Sequence, residues 1–371
     1  MVRAKGSVRP STWVLILALF CLVSLVSSSQ PARDYWVYVV CESADLVQRV
    51  HFGREGARVD REVEVGLMPV DIDGPHGVDV SADGQFYYVS LAHGRPFGSL
   101  WKYRTADDSV VGRIELGMFP ATLQVSEDDN FVFTVNFNLH GDIGPSSVSV
   151  VATDEMVEVA RVPTCTMPHG SRINPQGTKH YSACMMDDTL VEIDAATFEV
   201  SRTFLVPPTG EPGLEHHSAE HEDAMPVCSP TWAEPSSDGT SVYVACNQSN
   251  EIVEIDTRSW SVKRRLRAGE GVYNLARTGD GRLLATNKRG QSVSVFDLRT
   301  GRELVRIPIR RRVVHGVVVA PDDLYAFVSV EGVGTEPGTV EVVDLERLET
   351  VATVDVGAQA AGIAFWKMSA P

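Results

Sequence analysis

The sequence predicts an all-β chain folded as a seven-bladed β-propeller of four-stranded blades, its seam blade closed by both termini. A short motif recurs seven times at blade-like spacing, further strand patterns come after each copy, and the strand missing at the start of the chain is present at its end. A length of 371 residues suits one such unit, although it exceeds the roughly 100–200 residues of an ordinary domain.

The motif is clearest at Gly74-Pro75-His76-Gly77-Val78-Asp79-Val80, an alternating strand that turns through Ser81-Ala82-Asp83-Gly84 into a second strand, Phe86-Tyr87-Tyr88-Val89-Ser90. Counterparts begin at Phe119-Pro120-Ala121, Met167-Pro168-His169, Ser229-Pro230-Thr231, Val272-Tyr273-Asn274, Val314-His315-Gly316 and Ala360-Ala361-Gly362. With His76, Ala121, His169, Thr231, Tyr273, His315 and Ala361 as equivalent markers, the spacings are 45, 48, 62, 42, 42 and 46 residues. The interval of 62 implies an insertion at about residues 207–225.

Two more strands complete each copy, as in Thr189-Leu190-Val191-Glu192-Ile193-Asp194 and then Val200-Ser201-Arg202-Thr203-Phe204. At the start of the chain, residues 36–40 suit a second strand, 46–52 a third and 62–66 a fourth, with no first strand before them. Gly362-Ile363-Ala364-Phe365-Trp366 supplies it. Counting this seam blade as blade 1, His76 opens blade 2 and His315 opens blade 7.

The recurring Pro-His-Gly, Ser-x-Asp-Gly and Tyr-Val-x-Asn-like pattern resembles the YVTN-type β-propeller repeat family over essentially the whole chain after its leader. The resemblance implies the fold and leaves function broad. Such repeats build surface-layer and scaffold proteins, and are distantly similar to the propellers of nitrous oxide reductase and cytochrome d1 nitrite reductases. No Cys-x-x-Cys-His is present, so no haem c is expected, and the chain ends too soon for an appended copper electron-transfer domain.

Residues 1–29 read as a signal peptide: basic Arg3, Lys5 and Arg9, an apolar run from Trp13 to Val26, then Ser27, Ser28 and Ser29 before a cut near Gln30. The remainder, 30–371, is expected to be a single propeller, exported to a periplasmic or extracellular space, with no membrane insertion after cleavage. Formal charge is -16, from 33 basic and 49 acidic residues, which argues against a nucleic-acid partner.

In a propeller, the loops leading into first strands and those joining second to third strands open on one face, here called the top. Eight of the 10 histidines map to it, all except His51 and His180. His76, His169 and His315 hold equivalent positions in blades 2, 4 and 7, spread nearly evenly around the axis. His93 and His140 come just after second strands, and the insertion carries His216, His217 and His221. Converging neutral imidazoles suit a transition metal, copper before zinc, with His217 and His221 as covering ligands. Met68, Met118, Met167, Met185, Met186 and Met225 also fall near this face, and thioethers favour copper(I). The expected function is a metal-binding exported propeller with a redox or copper-handling role, whose top face meets a small molecule or a protein.

Other readings stay open. The histidines could brace their own turns, the methionines could plug blade junctions, and the insertion could be a solvated loop. A metal-free binding or scaffold propeller fits, as does a lyase- or lactonase-like enzyme using a channel histidine with Glu220 or Asp223. No Gly-x-Ser-x-Gly, His-Glu-x-x-His or phosphate-cradling glycine loop supports a different catalytic route, and whether the chain is an enzyme is undecided by its residues.

Beyond the leader lie Cys41, Cys165, Cys184, Cys228 and Cys246. Cys165 with Cys184 and Cys228 with Cys246 stand at the start of a first strand and the end of its hairpin partner, so each pair is expected to oxidise. Cys41 has no counterpart and should be a buried, inert thiol.

Overall fold

The computed structural model describes residues 1–2, 31–67, 72–93, 97–208 and 226–370. Residues 3–29 of the segment expected to be a signal peptide fall outside the described residues, as do His216, His217 and His221 of the insertion, Met68 and Met225.

Twenty-eight strands form seven sheets of four antiparallel strands each among the described residues, with one short 3-10 turn at Glu42–Ala44. The innermost strands are Pro75–Val80, Pro120–Val125, Pro168–Ile173, Pro230–Pro235, Val272–Arg277, Val314–Val319 and Ala360–Met368, and neighbours among them touch in a closed ring. The seam forms as the sequence implies. In blade 1, Ala360–Met368 pairs with Tyr35–Cys41, placing Val37 opposite Phe365, Tyr38 opposite Ala364 and Val39 opposite Ile363. One boundary differs: the outer strand of blade 1 spans Gly56–Glu64 and not 62–66, because the chain reverses tightly at Arg54-Glu55 with Gly56 at φ 93°.

Burial tracks radial position. The second strand of blade 5, Ser241–Cys246, is buried throughout because neighbouring blades cover both its faces, while the outermost Ser261–Arg267 alternates charged exposed and half-buried residues. Apolar cores lie between blades. Between blades 1 and 2, Tyr38 stacks on Tyr87 at 4.5 Å and Tyr87 on Tyr103 at 4.9 Å, amid Val40, Val89 and Leu91.

The seven innermost strands share one local geometry. Two residues before each marker the backbone is left-handed, at Gly74, Phe119, Met167, Ser229, Gly271, Val313 and Gln359, with φ between 49° and 66°. Immediately after, each inner strand slips by one residue against its partner. Pro75 faces Leu91 but Gly77 faces Ser90, and Val314 faces Val330 but Val317 faces Val328. The same slip occurs in the other five blades. A one-residue bulge takes a side chain out of strict alternation and re-aims it. The markers therefore stand at the top mouth of the channel, as the second residue of each innermost strand and not in the preceding loop.

Glycine after the histidine has a steric cause. A Cβ on Gly77 would lie 2.3 Å from the Ala121 carbonyl oxygen, and one on Gly170 would lie 2.2 Å from that of Thr231. Inner strands of adjacent blades thus approach backbone to backbone at this level. A hydroxyl bridges the gap: Ser90 Oγ accepts from Gly77 N–H and donates to the Ala121 carbonyl at 2.7 Å.

Both disulfides are formed, with Cα–Cα separations of 6.0 Å for Cys165–Cys184 and 4.4 Å for Cys228–Cys246. Their placement corrects the hairpin expectation. The direct strand partners of Cys184 and Cys246 are Pro168 and Pro230, and Cys165 belongs to the outer strand of blade 3, Val157–Thr166, so its bond ties blade 3 to blade 4. Cys41 is free and buried, and burial pushes its thiol up to about 12.

Candidate metal centre

Around the mouth small and large markers alternate except where Tyr273 adjoins His315. Ala361 and Ala121 flank His76, Ala121 and Thr231 flank His169, and Ala361 stands beside His315. Small neighbours leave the axis free, and imidazoles from non-adjacent blades meet there. Ring centroids lie 5.5 Å apart for His76 and His315, 5.8 Å for His76 and His169, and 6.5 Å for His169 and His315. One donor nitrogen from each lies within 4.8 Å of the others, and all three residues are buried. The expected convergence of His76, His169 and His315 is therefore present.

A second tier of residues, each just beyond a second strand, surrounds the trio. Glu42 of blade 1 is buried and reaches His76 Nδ1 with Oε2 at 2.6 Å and His93 Nε2 with Oε1 at 2.8 Å. Burial alone would raise this carboxyl, but the charges and N–H groups of His76 and His93 outweigh it and hold it far below the usual carboxylate range. An ionised carboxylate only accepts, so both imidazoles donate to it. His76 Nε2 is buried and has no hydrogen-bond partner; in the neutral ring, with the proton on Nδ1 against Glu42, that nitrogen presents a lone pair. Farther out, His93 Nδ1 lies 3.1 Å from Nε2 of the exposed His140, and Phe119 packs against His76, His93 and His140.

The other two imidazoles are held differently. His169 Nδ1 donates to the Thr231 carbonyl at 3.2 Å, and its Nε2 accepts from the Tyr273 hydroxyl at 2.8 Å. Burial, then the proximity of His76 and Lys288, lowers its pKa to about 3, so it is neutral, with its one lone pair held by Tyr273. His315 is likewise pushed well down by burial and by Lys288, and its Nδ1 has no partner. Lys288 lies over the Tyr273 ring at 4.2 Å and pairs with Glu331 at 2.8 Å, and Glu331 stands 3.9 Å from His315.

Several of these residues carry little metal-site signal in the sequence. Tyr273 has one, being a large polar aromatic at a marker position. Glu42, Lys288 and Glu331 share only their place, each the first residue after a second strand. His51 and His180 are away from the site: His51 bonds Asp34, and His180 stacks on Phe133. Met167 and Met185 pack against the apolar core between blades 3 and 4.

No protein-family model and no curated protein matches the chain. Solved structures match its fold. Hydrazine synthase of Kuenenia stuttgartiensis superposes with a TM-score of 0.64 at 18% identity, covering 81% of this chain and 92% of that one. A functionally unknown protein from Desulfotomaculum acetoxidans DSM 771 gives 0.66 at 14% identity, covering 89% and 98%. At such identities the likeness is one of fold alone.

Proposed function

We propose that this chain is an exported propeller of the YVTN-like kind whose top mouth holds a transition metal, copper before zinc, on His76, His169 and His315, and that it serves as a redox or copper-handling protein. The observation that carries the reading is the unpartnered, buried Nε2 of His76, backed by Glu42 and gathered with donors from two other neutral imidazoles. A buried ring nitrogen with no partner is costly, and a metal ion bound to its neutral form would satisfy it. A carboxylate behind a histidine is the arrangement that fixes tautomer and raises basicity in metal sites.

Three nitrogens bound at about 2.1 Å around a tetrahedral ion stand about 3.4 Å apart, so inward shifts of roughly an ångström from the present spacing would complete the site. Copper(II) heads the affinity order for nitrogen donors, which places it before zinc. Three protein ligands would leave an open position, where a bound metal can polarise a substrate or exchange an electron. Coordination through His169 Nε2 would use the lone pair that accepts from Tyr273, and would free that hydroxyl. The two disulfides support an oxidising compartment, in keeping with export.

Elemental analysis of the untagged protein tests the proposal. Wild type should carry about one equivalent of metal, His169→Ala should lose it as fully as the triple replacement, and His51→Ala should keep it. Equal metal content in His169→Ala and wild type would overturn the reading. A second reading, acid–base catalysis without metal, has one observation in its favour, the 2.8 Å Tyr273–His169 hydrogen bond. It demands activity that survives exhaustive chelation.

A further inference from the structure

Beside the trio, a cleft of about 740 Å³ opens on the top face over blades 3 to 7. Tyr273 and Lys288 belong both to its lining and to the surroundings of the imidazoles. Phe137 and Met185 give it an apolar side, while Lys288, Arg289 and Arg312 give it three cations. No carboxylate lines it among the described residues, in a chain with 49 acidic against 33 basic side chains.

The cations differ in how far they are already satisfied. Lys288 is held by Glu331 at 2.8 Å. Arg289 donates to Asn247 Oδ1 at 2.7 Å and to the Asn247 carbonyl at 2.8 Å, with Glu270 at 3.7 Å, so it is largely held. Arg312 is exposed and its guanidinium has no hydrogen-bond or ion-pair partner among the described residues. It stands in the segment leading into the innermost strand of blade 7, three residues before His315. Its neighbour Val313 has φ 65°, a conformation a β-branched residue adopts only when its surroundings impose it.

We infer that this cleft binds a small organic carboxylate, with the acidic group on Arg312, in the positive field of Arg289 and Lys288, and the apolar body against Phe137 and Met185. A guanidinium matches a carboxylate in two parallel N–H···O bonds, and an apolar wall with few placed polar groups is the usual make-up of a small-molecule pocket. The inference rests on reading the mouth as the working site and names the substrate class of that site. Lys288, shared between cleft and trio, joins the two.

Calorimetric titration with sodium benzoate, and with benzamide as its uncharged match in shape, tests it. Benzoate should bind, more weakly as salt is raised, and benzamide at least about tenfold more weakly. Arg312→Gln should weaken benzoate about tenfold, Arg312→Lys should restore part of the loss, and metal content should equal that of wild type. Benzamide binding as tightly as benzoate, unchanged benzoate affinity in Arg312→Gln, or no benzoate binding would each overturn the inference. Metal-free protein that binds benzoate as expected upholds it even if no metal is ever found. Metal-loaded protein indifferent to benzoate defeats it and leaves the metal centre standing.

Discussion

Glu42 and His76 meet across the junction of blades 1 and 2, with the carboxylate Oε2 accepting the Nδ1–H of the imidazole at 2.6 Å. In the neutral ring the contact sets which nitrogen of His76 is bare. Glu42→Gln should therefore weaken metal binding by about 10–100-fold, because the neutral amide no longer favours the Nδ1–H tautomer. Competition against a chelator measures this, and an unchanged affinity would show that the carboxylate plays no part in tuning the ligand.

His180 offers a clean pH experiment away from the mouth. Burial, with a smaller contribution from Arg172, lowers its pKa to about 3, and neither ring nitrogen has a partner. The unfolded chain takes up a proton near pH 6.5 that the folded chain resists, so stability is intact above about 6.5 and is lost as pH falls from there toward 3. His180→Leu should remove at most about 3 kcal/mol of that acid penalty near pH 4. The gap between its melting temperatures at neutral and acid pH should narrow relative to wild type. A gap of equal width would mean that His180 titrates normally.

Deleting the chain from Ala360 onward removes the innermost strand of blade 1 and exposes the edge of Tyr35–Cys41 and the flank of blade 7. Loss of cooperative thermal unfolding is expected, because the missing strand opens the ring as well as one sheet. A truncated protein with the wild-type melting temperature would contradict the closure.

Gly77→Ala places a methyl group against the Ala121 carbonyl and should cost about 1–3 kcal/mol, read from the denaturant midpoint. Gly144→Ala is the control, since a Cβ there meets nothing within 4 Å. Equal midpoints for the two variants would rule out close backbone approach as the reason for the glycine.

The blade count, the seam and the His76–His169–His315 convergence were legible because each is written in a repeat: equivalent residues of equivalent blades must take equivalent places around an axis. The surroundings of the trio were hidden because each blade contributes one residue and the partners come from other blades. Glu42 is 34 residues from His76, and Tyr273 is 104 from His169. The shared turn was hidden for another reason. Only Gly74 and Gly271 advertise a left-handed backbone, while Phe119, Met167, Ser229, Val313 and Gln359 adopt it under pressure from the ring. The strand slip likewise leaves no trace in the alternation of side chains, so the histidines read as loop residues when they are the re-aimed second residues of strands.

Seven bulged positions with a common backbone make the mouth a socket in which each place is filled independently. A substitution at Ala121, between His76 and His169 in the ring, or at Ala361, between His315 and His76, alters the set of groups meeting at the axis while blade number, turn and slip persist. Donor sets in such a molecule can be gained or lost one codon at a time. Proteins of this shape can therefore diverge in chemistry while their outlines stay superposable, and swapping single markers offers a route to a mouth that holds a different ion or none.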